Sequence, residues 1–310
     1  MSDLKSLGYI TISTSDIDRW RHFAFRVLGF AQGSPPKERS SDPSALYLRM
    51  DERAARIVVV PGETDRVLAV GWEVRDHAAL QRIKATLDGA GVAFKQLSVD
   101  EAEVRRVEEV ITFEDPAGTT LEVFHGPVLD HSTVITPFGA KFVTGDQGLG
   151  HIVLPATDPG GVFDFYTDVL GFRSRGAFRV PLMGGPKEFG PVRVRFLGIN
   201  VRHHSLAICP AAHQRDPGVV HIMVEVDTLD AVGQALDRIN AEGIQLSSTL
   251  GRHTNDKMVS FYVRAPGDWD LEFGTDGMRV DETYYTAEEI TADSYWGHQW
   301  VGDLPAAMRP

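Results

Sequence analysis

His151, His221 and Glu272 carry the side chains of this chain best suited to metal chemistry. Each opens or closes an apolar, strand-like run: Gly150-His151-Ile152, Val220-His221-Ile222-Met223-Val224-Glu225-Val226 and Leu271-Glu272. A lone histidine at the start of such a run is usually a satisfied core residue. Two imidazoles and a carboxylate on three strands that a folded module brings side by side are a different matter. On one face of a divalent ion they leave three positions free, a donor set that suits Fe(II) and also Mn(II) and lets O2 and an organic molecule meet at the metal. Two further clusters supply groups for proton chemistry. One is Arg202-His203-His204-Ser205, and the other is Gly251-Arg252-His253-Thr254-Asn255-Asp256 running into Ser260-Phe261-Tyr262. Histidine titrates near neutral pH without perturbation, so His204, His253 and Tyr262 read as functional, whereas His203 reads as a solvated loop residue. Phe196 and Val153 suit an apolar pocket wall and suit core packing equally well.

An internal duplication serves as the control for this reading. Leu7-Gly8-Tyr9-Ile10 matches Leu149-Gly150-His151-Ile152, and Val27-Leu28-Gly29-Phe30 matches Val169-Leu170-Gly171-Phe172 at the same spacing. Asp115-Pro116 with Leu121-Glu122 matches Ala265-Pro266 with Leu271-Glu272. Tyr9 then stands where His151 stands, Ala69 where His221 stands, Ala55 near His204, and Glu122 where Glu272 stands. The first copy keeps only the carboxylate, so the donor set belongs to the second.

Each copy reads as strand, helix and three strands, given twice. In the second, Gly150 to Pro155 is a strand, and Asp158-Pro159 supplies an N-cap and an N1 proline. Val162 to Leu170 follows at helical spacing and Gly171 ends the helix. His221–Val226 is a strand, Asp227 caps a helix that stops near Gly243, and Met258–Val263 with Trp269–Phe273 close the module. The first copy places helices near Asp16–Val27 and Asp76–Leu87. The order predicts α+β architecture with a curved mixed sheet, and the turn-rich stretch between residues 127 and 146 suggests a boundary near 135. The aromatic tail with Tyr284, Tyr285, Tyr295, Trp296 and Trp300 must pack on a domain or on a neighbouring subunit, which predicts a homo-oligomer.

Composition narrows the class. The 310 residues suit two ordinary domains, and 43% hydrophobic with 24% charged residues is a globular balance. A net charge of −12 without a Lys/Arg block disfavours nucleic acid and anionic membranes as partners. The single cysteine, Cys209, excludes a disulfide framework, and neither a signal-peptide pattern nor a membrane-length apolar run is present, so a reducing cytoplasm is the expected compartment.

At these residues the chain resembles the type I extradiol dioxygenases of the vicinal oxygen chelate superfamily, most closely the 2,3-dihydroxybiphenyl 1,2-dioxygenases and other catechol 2,3-dioxygenases. The likeness rests on Gly150-His151, on Arg202-His203-His204-Ser205, and on Gly251-Arg252-His253 through Phe261-Tyr262, Ala265-Pro266 and Glu272. It extends from Leu7 to the tail. The resemblance implies two tandem barrel-like domains, each a pair of βαβββ modules: an N-terminal unit over residues 1–135 without metal and a catalytic unit over 136–310. It implies Fe(II) on His151, His221 and Glu272, and a 3-substituted catechol such as 2,3-dihydroxybiphenyl opened next to its hydroxyls with O2. Alkyl- and steroid-bearing catechols fit the same pattern; a glyoxalase-type metal isomerase and a metal-free small-molecule binding protein of the same superfamily are the alternative readings. His204 would assist proton transfers, His253 and Tyr262 would hydrogen-bond the substrate hydroxyls, and Asn255 and Asp256 would support His253. One departure is Asp268, at a turn position where the family has Gly or Pro and the first copy has Gly118. Asp tolerates left-handed backbone, so a local adjustment is expected there.

Overall fold

A computed structural model describes residues 2–36, 42–181 and 191–309. The N-terminal half runs β1 (Leu4–Thr14), α1 (Ile17–His22), β2 (Ala31–Gln32), β3 (Leu46–Arg49) and β4 (Ile57–Pro61). It continues with β5 (Arg66–Val74), α2 (His77–Gly89), β6 (Lys95–Gln96), α3 (Val99–Val104), β7 (Val107–Glu114) and β8 (Thr120–Pro127). The second half repeats the plan: β9 (Gly150–Ala156), α4 (Pro159–Asp164), β10 (Arg173–Pro181), β11 (Pro191–Gly198) and β12 (Leu206–Pro210). Then come β13 (His221–Glu225), α5 (Leu229–Ala241), β14 (Leu246–His253), β15 (Val259–Arg264) and β16 (Asp270–Thr275), and the tail adds β17 (Glu288–Ile290) and β18 (Ser294–Trp296).

Two mixed sheets result, in the orders β2-β3-β4-β1-β5-β8-β7-β6 and β17-β10-β11-β12-β9-β13-β16-β15-β14-β18. Within each βαβββ module the first and last strands pair parallel, and the two first strands join the modules antiparallel. The expected pair of βαβββ modules per sheet is therefore present in both copies. Register also confirms the alignment of the copies. Met223 lies opposite both His151 and Glu272, and Gly71 lies opposite both Tyr9 and Glu122. His221, two residues before Met223, matches Ala69.

Because side chains alternate across a strand, each strand divides its residues between two environments. Ile152, Leu154, Ile222, Val224, Phe261, Val263, Leu271 and Phe273 join a large core that also takes Ile10, Val70, Trp72, Leu121 and the helices of both halves. Trp20 packs 5.7 Å from Trp269, and Trp72 meets Phe172 at 5.0 Å between ring centroids. The opposite face carries His151, Val153, His221, Tyr262 and Glu272, all lining one cavity.

Asp158 caps α4 through the Gly160 and Gly161 amides, as expected. Both α1 and α4 widen into a π-helical turn (Phe23–Leu28 and Phe165–Val169) before Gly29 and Gly171 at φ +82° and +72°. The cap of α5 differs from expectation: Thr228, not Asp227, accepts from the Ala231 amide. Asp227 instead receives the Lys141 amide from the linker. Among the described residues no helix is long and apolar enough to cross a membrane.

The tail folds back on its own sheet, with β17 beside β10 and β18 beside β14. Tyr285 packs on His203, while Tyr284 and Tyr295 stay exposed.

Candidate metal and substrate site

β9, β13 and β16 lie side by side and bring the three donors together. The Nε2 atoms of His151 and His221 are 3.0 Å apart, and the Glu272 Oε2 lies 3.2 Å from the first and 3.4 Å from the second. A cation held at about 2.1 Å by three donors at right angles would separate them by about 3.0 Å, so the triangle fits a six-coordinate divalent ion with little movement. The electrostatics agree. Burial lowers the His151 ring to about 4, leaving a neutral imidazole, and Glu272 is held well below the usual carboxylate range. Its burial alone would raise it, but hydrogen bonds from His151, His221 and His253 outweigh that cost. An ionised carboxylate and a neutral imidazole at the bottom of a buried pocket are donors a divalent cation needs.

The register places the next layer. Tyr262 on β15 lies opposite Glu272. Its hydroxyl is 2.8 Å from His253 Nε2 at the end of β14, which is itself 3.4 Å from Glu272 Oε1. The second Glu272 oxygen also accepts from the Ser260 hydroxyl at 2.6 Å. Burial would lower the His253 ring, but its bonds to Asp293 and Glu272 raise it well above the ordinary histidine value. The support expected from Asp256 thus comes from a different carboxylate: Asp293, 3.2 Å from His253 Nδ1. Asp256 lies 3.8 Å from His204 Nδ1, its carboxyl raised by burial with the His253 charge opposing, and its backbone carbonyl takes the Met278 amide. Asn255 lines the cavity with a buried Oδ1 that has no partner among the described residues.

His204 sits at the corner before β12, its ring 4.0 Å from that of His151. Burial, with His151 and His203 beside it, pushes this ring well below the ordinary value. His203 is buried rather than solvated. Its Nδ1 is 3.0 Å from His204 Nδ1 and its Nε2 2.8 Å from the Tyr285 hydroxyl, because the tail closes over a corner that the local sequence leaves open.

The cavity has a volume of about 170 Å³. Val153 and Phe196, expected either as wall or as core, are wall, joined by Phe178, Val194, Cys209 and Val220. Sequence reasoning missed Asp293, His298, whose ring lies 4.0 Å from that of His253, and the lining residues Trp300, Leu304, Pro305 and Met308. All lie beyond the last repeat, where no second copy exists for comparison.

Two sheets of paired βαβββ modules, with the two-histidine, one-carboxylate triangle in the second half, define a metal-site member of a duplicated-barrel superfamily. Residues 148–273 match the Glyoxalase/Bleomycin resistance protein/Dioxygenase superfamily, and residues 7–62 match Dihydroxybiphenyl dioxygenase BphC D1. The chain is 48% identical over 309 residues to an iron-dependent extradiol dioxygenase of Rhodococcus jostii, covering 99% of both. It is 39% identical to a biphenyl-2,3-diol 1,2-dioxygenase of Paraburkholderia xenovorans, covering 98% of both. The crystal structure of BphC, a halotolerant catechol dioxygenase, superposes with a TM-score of 0.87 at 30% identity, covering 98% of both chains. The chain belongs to the extradiol dioxygenases of this superfamily, enzymes of aromatic ring cleavage.

Proposed function

We propose that the chain opens a 3-substituted catechol such as 2,3-dihydroxybiphenyl next to its hydroxyls, consuming O2, with Fe(II) on His151, His221 and Glu272. The observation that carries this reading is the donor triangle with 3.0–3.4 Å edges at the floor of an apolar cavity. Iron held by His151, His221 and Glu272 would supply Lewis acidity and one-electron chemistry toward O2, which otherwise reacts poorly with closed-shell molecules. The protein contributes the rest. His253 Nε2 and the Tyr262 hydroxyl meet at 2.8 Å, both line the cavity and would hydrogen-bond the substrate oxygens, with Asp293 holding His253 in orientation. His204 Nδ1 faces His203, which leaves Nε2 to take a proton from a substrate hydroxyl and return one during ring opening. Val153, Phe178 and Phe196 would exclude water and seat the substituent.

The reading divides the chain into a metal-free unit over residues 1–135 and a catalytic unit over 136–310, working in the cytoplasm. It includes a homo-oligomer, since Tyr295 and Trp296 stay 61% and 49% exposed on the edge strand β18. Light scattering that gave a monomer at micromolar concentration would remove that last element. The metal assignment is tested by His151→Ala, His221→Ala and Glu272→Ala. Each should lose iron and ring cleavage while circular dichroism and the unfolding transition show a folded chain. Full activity in either histidine variant would sink it.

A further inference from the structure

Asp268, the residue that departs from the expected turn, stands at φ +62°, matching Gly118 at φ +80° in the first copy. A non-glycine residue bears some strain in this region, so its side chain should have a use. Its carboxylate pairs with two arginines: Arg264, and Arg309 at 2.7 Å. Its carbonyl accepts the Ala306 amide at 2.9 Å. Arg264 also donates to the carbonyls of Asp303 and Leu304. The turn and this arginine thereby hold the last residues of the chain against the catalytic sheet, with Ala307 buried.

Those last residues form part of the cavity. Trp300, Leu304, Pro305 and Met308 line it together with His151, His221 and Glu272. The Trp300 ring lies tilted, 5.1 Å from that of Tyr262, and Met308 Sδ lies 3.6 Å from Cys209 Sγ on β12. Cys209 pairs with Pro155, four residues along β9 from His151, or roughly 13 Å at strand spacing. That is too far for the ring bearing the reacting hydroxyls and suits a group attached to it.

We propose that Asp268 fastens the C-terminal segment Leu304–Met308 as the distal wall of the cavity, and that this wall sets selectivity for the substituent beside the catechol hydroxyls. The proposal rests on the catechol reading above. Asp268 is a positioning residue, and it acts through the tail. The test compares the wild type with Asp268→Gly, which suits the positive φ and removes only the carboxylate, and with a chain ending at Asp303. Two readouts are taken on iron-loaded protein. One is the ratio of kcat/KM for 2,3-dihydroxybiphenyl to that for unsubstituted catechol. The other is the labelling rate of Cys209, the single thiol, by a disulfide reagent.

Cys209 is buried under Met308, and burial pushes its thiol up to about 12, so it is protected while the tail is docked. Both variants should lower the selectivity ratio about tenfold, mainly through KM for the bicyclic substrate, and should speed labelling about tenfold or more. A ratio within about twofold of wild type in the truncated chain, with Cys209 freely labelled, would refute the wall's role in selectivity. Undiminished protection of Cys209 in Asp268→Gly would refute the fastening. If the wild-type chain opened neither catechol, the catechol reading would fail, and labelling would still decide the fastening.

Discussion

His204 is the residue whose role is least constrained by composition and most constrained by geometry. It gathers with His151 and Asp256 so closely that the three ligand atoms fall within 4.8 Å, and a metal-ligand role is therefore the competing view. The donor triangle already supplies three ligands, however, and a fourth would occupy a position that substrate or O2 needs. Its matching residue in the first copy is Ala55, and the backbone register of the two corners agrees: Ile10 and Ile152 donate to the carbonyls of Arg56 and Ser205. The imidazole is thus absent where the metal donors are absent. His204→Phe should keep iron and bind catechol, yet lower kcat on the order of 100-fold. Iron analysis and steady-state rates check this, and a folded variant that had lost its iron would make His204 a ligand. At this scale the sequence was legible wherever a second copy stood as control. Asp293 escaped because it has no counterpart, and Asp256 makes no direct hydrogen bond to His253 because adjacency in sequence does not say which way a loop side chain turns.

The strands explain why these side chains hold their places. Arg202, at the corner leading to His204, forms a buried ion pair with Glu225 at the end of β13. Arg53 and Glu73 make the same pair at the matching corner of the first copy. Repetition in both copies marks the pair as part of the scaffold rather than of the chemistry. Removing one partner of a buried pair leaves an uncompensated charge, so Glu225→Ala should cost about 3 kcal/mol in urea unfolding. It should also slow turnover by loosening the corner that carries His204. A loss below about 1 kcal/mol would show that the corner is held by its backbone bonds instead. Gly150 is a second element-level constraint. A Cβ there would overlap the Met223 carbonyl, so only glycine lets β9 approach β13 closely enough for His151 and His221 to converge. Alternating apolar residues made the long strands readable. The three-residue strands β17 and β18 carry no such period, and the π-helical turns need one extra residue that periodicity does not reveal. Thr228 and Asp227 are both good caps, and only the helix's entry angle chooses between them.

The duplication of the whole molecule raises the question of whether the chain holds one metal ion or two. Glu122 occupies the position of Glu272, buried on the equivalent strand, and a buried carboxylate needs a cation or a full set of donors. The first copy supplies them without metal. Arg105 follows α3 and pairs with Glu122 at 2.5 Å, while the Tyr9 hydroxyl, standing in the place of His151, donates to the same carboxylate. Burial and the nearby Glu122 raise the Tyr9 phenol well above its usual value, so it stays protonated and remains a donor rather than a ligand. Ala69 offers no donor at all. A divalent ion would have to displace a guanidinium and would find one carboxylate in return, a poor exchange for any site that needs three ligands. Iron per folded chain, measured after anaerobic loading and removal of excess metal, should therefore be near one. Glu122→Gln should leave that ratio unchanged while lowering stability, because Arg105 then loses its charge partner. A ratio near two that fell to one in Glu122→Gln would place a second ion in the first copy and overturn the division of labour between the two halves.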